Sequence, residues 1–228
     1  MRNWLQRFKQ LNWLNYLIEL IIVFLGISIA FYVNQKAAQR KSLEMEKFYL
    51  TNIMNDLVED ENETDFIIQL IDGEISGISK LLEKIGNEDK NLMDSIVFPT
   101  MKLSYTSNYH PEVSTFEALI QGGEALKISN LKLRERLSGY YAYYATLVDR
   151  HNDFKEVKKN KLFPFLTQHY NMSMKKVINE QSFHSDQLQN ILFELLKYAH
   201  AKKNSYQKVL QNSKDLQTIV EAELNARN

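Results

Sequence analysis

The chain contains no cysteine, so it can build neither a disulfide framework nor a thiolate metal site or nucleophile. Chain-breaking residues are scarce too, with seven glycines and three prolines in 228 residues. That scarcity argues against a turn-rich β architecture, and the long stretches free of both residues point to helices. An excess of charge of one sign is also missing. Lys+Arg and Asp+Glu number 28 each, which leaves no strong field to recruit nucleic acid or acidic lipid. Catalytic spacings are absent as well: there is no His-x-x-x-His, His-Glu-x-x-His, Gly-x-Ser-x-Gly, P-loop or dinucleotide fingerprint. The five histidines (His110, His151, His169, His184 and His200) are scattered without metal-ligand spacing. The expectation is a protein that is not an enzyme, with no catalytic residues, no cofactor, no metal and no nucleic-acid partner.

What the chain does have is one apolar stretch, LNYLIELIIVFLGISIAFYV from Leu14 to Val33, with Glu19 its single charge. As an α-helix rising about 1.5 Å per residue it covers roughly 30 Å, the thickness of a bilayer's hydrocarbon core. Trp13, Tyr16 and Tyr32 stand at its ends, where amphipathic rings prefer the headgroup level. A cleaved signal peptide fits less well, because the run exceeds a signal core of roughly 7–15 residues and no small-x-small site follows Tyr32. A core helix of a soluble protein also fits less well, because the rest of the chain supplies amphipathic partners for itself. The reading is a basic, aromatic cytoplasmic tail (1–13), a transmembrane helix (14–33) and a domain over 34–228.

Arg2, Arg7 and Lys9 before the span balance Lys36, Arg40 and Lys41 after it, so the positive-inside rule does not decide orientation. The tail lacks acidic residues and carries the amino terminus, while long domains translocate largely regardless of charge. Both favour a single-pass protein of the inner (cytoplasmic) membrane whose C-terminal domain is periplasmic.

Beyond Val33 neither Gly nor Pro occurs before Gly73, so the helix is expected to run on over 34–86 and to reach roughly 80 Å from the bilayer if unbroken. Gly73, Gly77 and the acidic run DLVEDENETD are the places for a bend. Leu50, Met54, Leu57, Ile68, Ile71, Ile75, Ile78, Leu82 and Ile85 follow a 4-3 rhythm, with Glu61 and Thr64 as polar slots. That period marks a packed seam, and Gly86-Asn87 reads as a C-cap. Residues 87–113, with Pro99 and Pro111, read as irregular. The aromatics there, Phe98, Tyr105 and Tyr109, come with His110. Aromatics are apolar surface first, so the loop is expected to pack back over the bundle's end; the alternative is a partner-facing loop at Tyr105, Tyr109 and His110. Asp94-Ser95-Ile96 and Asn62-Glu63-Thr64 match short glycosylation signals that arise often by chance.

Ser114 through Glu117 form a capping box opening a helix over 115–121, which Gly122-Gly123 ends as a turn. Asn130 caps a helix over 131–163 with Leu133, Leu137, Tyr140, Tyr144, Leu147, His151 and Phe154 on its seam, and Phe163-Pro164 terminates it. His151 reads as a hydrogen-bonded core histidine. Residues 165–184 read as one helical turn and a loop. Ser185 begins a last helix over 185–226, with Leu188, Leu192, Leu195, Ala199, Lys202, Tyr206, Val209, Leu216 and Val220 in the same spacing. Lys158-Lys159 and Lys202-Lys203 read as solvated faces. The predicted class is all-α: one transmembrane helix continuing into a long helix of an up-and-down, coiled helical bundle.

Two blocks carry a resemblance. Glu19 with Gly26-Ile27-Ser28-Ile29-Ala30, leading into a charged helix, resembles the N-terminus of a family of Bacteroidota membrane proteins numbered 6090 among the domains of unknown function. Thr115-Phe116-Glu117-Ala118-Leu119 through Ile128-Ser129-Asn130-Leu131 to Leu133-Arg134 is similar to that family's second block. Gln35-Lys36 stand where a tryptophan often follows the family's span. The resemblance implies a single-span helical protein with no assigned activity and no catalytic residues.

Glu19, Gly26 and Ala30 share one face of the span. Gly26-x-x-x-Ala30 is a small-x-x-x-small pair that lets helix backbones approach, and an ionisable group in a span tends to face protein or water. This predicts a helix–helix interface in the membrane, with a homo-oligomer or a membrane-protein partner; the plain alternative is that Glu19 reaches toward headgroups. Three functions follow. The favoured one is a tethered interaction or scaffold module of the cell envelope. The second is an extracytoplasmic ligand-sensing bundle that signals through a partner, and the third an accessory subunit of an ion-driven membrane complex in which Glu19 titrates.

Overall fold

The computed structural model describes residues 13–86, 91–104 and 114–227. Tyr105, Tyr109 and His110 lie outside those residues, as do the capping side chain of Ser114 and most of the N-terminal tail. The chain divides into two compact units, Met1–Phe48 and Tyr49–Asn228. A single helix, α1 (Trp13–Gly86), is 74 residues long, so neither Gly73, Gly77 nor the acidic run ends it.

In the first unit the described apolar residues of α1 up to Val33 are exposed: Leu20 is 66 % and Phe24 68 % exposed. Its most apolar 18-residue window has a mean hydropathy of 2.4, and none of it is buried. Among the described residues this is the one helix long and apolar enough to cross a membrane.

The second unit is an all-α bundle. After α1 come a π turn (Met93–Val97), α2 (Phe98–Leu103), α3 (Ser114–Gln121) and a 3-10 turn (Glu124–Lys127). Then follow α4 (Leu131–Val157), a second π turn (Lys158–Leu162) and α5 (Phe163–His169). A two-residue hairpin pairs β1 (Tyr170–Asn171) with β2 (Lys176–Val177), and a 3-10 turn (Glu180–His184) leads to α6 (Asp186–Asn225). The side-chain oxygens of Asn130 and Ser185 accept from the amides of Leu133 (3.1 Å) and Leu188 (3.4 Å), so both expected caps are in place. Gly123 turns with φ +68°, a conformation that side chains disfavour.

Three expectations need correcting. Residues 93–103 are helical rather than irregular, and 165–184 hold most of α5, the hairpin and a 3-10 turn. Phe163-Pro164 does not end its helix either. In both Phe-Pro steps the phenylalanine amide donates five residues back, Phe98 to Met93 and Phe163 to Lys158. The widened turn removes the hydrogen bond and the carbonyl clash that proline would otherwise break, so the helical path survives.

The seam differs from expectation in one further respect. On α1 one buried row is Leu50, Leu57, Thr64, Ile71, Ile78 and Ile85, as expected. The expected second row is only half-buried at Met54, Glu61, Ile75 and Leu82 and buried at Ile68, while the row one residue earlier, Ile53, Asp60, Ile67, half-buried Glu74 and Leu81, lies deeper. On α4 the rows are Leu133, Tyr140, Leu147, Phe154 and Leu137, Tyr144, His151, Lys158. On α6 they are Leu188, Leu195, Lys202, Val209, Leu216 and Leu192, Ala199, Tyr206, Ser213, Val220. Each fully buried leucine here contributes about 1.5–3 kcal/mol of transfer free energy. The Asp60–Tyr144 and Glu74–Lys158 pairs share one sequence separation, 84 residues, so α1 and α4 run in the same direction in constant register. The pairs Ser213–Leu57 and Lys203–Asp72 show that α6 opposes α1.

Candidate functional site

Two polar layers interrupt these apolar rows. In the first, Asp60 is fully buried and its carboxylate accepts from the hydroxyls of Tyr140 (3.1 Å) and Tyr144, which are themselves 2.8 Å apart. Burial and then the Asp60 charge push the Tyr140 phenol above its ordinary range; burial and then Asp56 do the same for Tyr141. Both phenols therefore stay protonated and able to donate. The Ser213 hydroxyl donates to the Leu57 carbonyl at 2.8 Å, and the Gln217 amide donates to that carbonyl and to Glu61. Because its hydrogen bonds join α1 to α4 and to α6, this layer is a pin that sets register.

The second layer is asymmetric in charge. Lys158 Nζ meets Glu74 Oε1 at 2.9 Å and lies 4.4 Å from the centre of the Phe154 ring. Lys202 Nζ lies 5.3 Å from the same ring and makes no hydrogen bond or ion pair among the described residues. Lys158 and Lys202 are only 3 % and 4 % exposed, so the expectation of solvated faces was wrong for both. The reason is their heptad position: Lys158 follows Phe154 by one turn, and Lys202 sits between Leu195 and Val209 in its row. Burial, and then the Glu74 attraction only partly offsetting it, leaves the Lys202 ammonium below its usual range. His151 is also not the hydrogen-bonded core histidine expected, because neither ring nitrogen has a partner. Burial, followed by Lys202 and Lys155, lowers its basicity.

This layer opens onto a groove of about 780 Å³ between α1 and the π turn with α2. Ile67, Leu70, Leu81, Phe98 and Leu103 supply its apolar wall; Glu74 and Lys202 reach it from the layer, and the exposed Asp94 and Lys102 stand at its edge. Volume and lining are those of a small-molecule pocket. The sequence signal for it was present but unread: Lys202 falls on the apolar spacing of α6, and a lysine in such a row is inside the bundle.

Glu19, Gly26 and Ala30 all lie on α1 and all are exposed, and a Cβ placed on Gly26 meets nothing within 4 Å. The helix thus places the three along one exposed face. Ser95, by contrast, is buried, which leaves the Asp94-Ser95-Ile96 hydroxyl without room for a glycan. Among the described residues no group of three His, Asp or Glu side chains is placed to hold a metal ion. No family model, curated protein or solved structure matches the chain.

Proposed function

We propose that the chain is a single-span membrane-anchored helical-bundle protein of the cell envelope, acting as a non-catalytic interaction or scaffold module. The observation that carries this reading is the run of exposed apolar side chains along α1 from Trp13 to Val33, beside a second unit that has a core of its own. Exposed apolar surface of that extent demands a cover, and its helical length suits a bilayer. The proposed place is the inner membrane with the bundle in the periplasm, and the proposed partner is a second copy or another span at Glu19, Gly26 and Ala30. Membership of the Bacteroidota family 6090 is proposed on the two sequence blocks alone.

Fractionation of the full-length protein with a C-terminal epitope tests the anchor. Retention through alkaline carbonate, with the epitope cut by external protease in spheroplasts, is expected. Release by carbonate, or a product trimmed just past Tyr32, overturns it. For the interface, Glu19→Leu and Gly26→Ile are each expected to reduce in-membrane cross-linking several-fold; unchanged yields for both reject that face.

The groove favours a second reading, a bundle that binds a ligand and passes the effect to a partner. Its support is the buried Lys202 beside an apolar cavity.

A further inference from the structure

We propose that the groove binds an amphiphile with one anionic head group, its head on the Lys202 ammonium and its chain along Ile67, Leu70, Phe98 and Leu103. The assignment rests on the ligand-binding reading above and names the class of ligand. Lys202 is buried, lines the groove, lies over the Phe154 ring and makes no hydrogen bond or ion pair among the described residues. Glu74, the carboxylate that attracts it, is already held by Lys158 at 2.9 Å. Lys202 is therefore the ammonium that Glu74 does not hold, and His151, made less basic by burial and the neighbouring lysines, stands close by.

An anionic head group pairs the Lys202 ammonium, whereas a neutral head leaves it desolvated and without an ion pair. At the edge Asp94 and Lys102 cancel, so the attraction is focused on Lys202. The remaining wall is apolar and suits an alkyl chain. Gly73 and Gly77 keep the groove open: both line it, and a Cβ on either meets nothing within 4 Å. A fatty-acid carboxylate and the phosphodiester of a lysolipid share this chemistry.

The test uses the full-length protein in phosphatidylcholine nanodiscs, irradiated with a diazirine-bearing palmitic acid and mapped by peptide mass spectrometry. Label is expected in peptides containing Leu70, Phe98 or Leu103. It should be displaced at least tenfold better by palmitate or lysophosphatidylglycerol than by hexadecanol, and the order of the two anions identifies the source. Lys202→Met removes the charge at similar volume and should cut labelling at least tenfold. Gly77→Leu should do the same by filling the groove, while Gly139→Leu, on an exposed position of α4 that is also open, should label normally. Circular dichroism melts establish that each variant is folded, and Gly77→Leu decides if Lys202→Met is not. Label confined to 14–33, equal displacement by hexadecanol, or full labelling of folded Lys202→Met overturns the proposal. Links between two copies at the groove peptides would assign it to a second chain and also overturn it. A protein that resists carbonate yet never labels in the groove loses the ligand and keeps the anchor.

Discussion

Replacing Tyr144 by Phe deletes one of the two phenolic donors to Asp60 while keeping the ring that packs edge-on against Tyr140 at 5.3 Å. A hydrogen bond to a charged group contributes about 1.5–3 kcal/mol, and the carboxylate, fully buried, has no water to replace it. Tyr144→Phe should therefore lower stability by about 1.5–3 kcal/mol, or about 3–12 °C in midpoint for a domain of this size. The loss comes from stranding a charge rather than from a lost contact, which makes the second variant informative. Asp60→Leu removes the charge, and apolar replacements of buried ionic groups are often near neutral. In the double variant Tyr144→Phe should cost well under half of what it costs alone. Thermal melts followed by circular dichroism in one detergent, with urea titrations as a check, measure the cycle. If the double variant loses the sum of the single losses, Asp60 is not the partner that makes the tyrosine matter, and the account of this layer fails.

The folded state keeps His151 less basic than the unfolded chain, where its pKa is about 6.5, so its contribution is complete above that value and is lost as pH falls through the folded pKa. The melting midpoint should drop between about pH 7.5 and 5, and His151→Gln should flatten that dependence. Asn130 caps α4 and donates to Glu223 near the end of α6, so Asn130→Ala should cost about 1–2 kcal/mol by urea titration. Two glycines should respond with opposite sign: Gly123→Ala, at φ +68°, should cost about 1 kcal/mol, whereas Gly77→Ala, inside α1 with open space at its Cβ, should gain up to about 1 kcal/mol.

The helices and their caps could be read from the sequence because their causes are local. Asn130 and Ser185 need only an amide three residues on, and a 3.5-residue repeat declares a helix without naming its neighbours. The π turns could not be read this way. A proline warns of a broken helix, and only the packing of Ile96, Val97 and Leu162 into the core shows that the chain widened a turn instead of stopping. The polar layers escaped for a different reason. A heptad fixes which positions share a row but not which of two adjacent rows faces inward.

On α1 the row with Met54, Glu61, Ile68, Ile75 and Leu82 is the more apolar and packs at the margin of the core, yet the row with Ile53, Asp60, Ile67, Glu74 and Leu81 lies deeper. Hydropathy favours the first; Tyr140, Tyr144 and Lys158 across the seam make the second possible. That exchange has a consequence for specificity. The purely apolar rows would tolerate α4 sliding along α1 by one heptad, since leucine and isoleucine recur at every step. With the polar layers in place, such a slide sets Lys158 against Ile67 or Leu81 and Asp60 against Leu137 or His151. Both buried charges are then stranded at once, at several kcal/mol each, so the costly layers select one register from a repetitive core. Lys202 is not explained by that logic: a register pin would pair it, yet among the described residues it makes no ion pair, and it lines the groove.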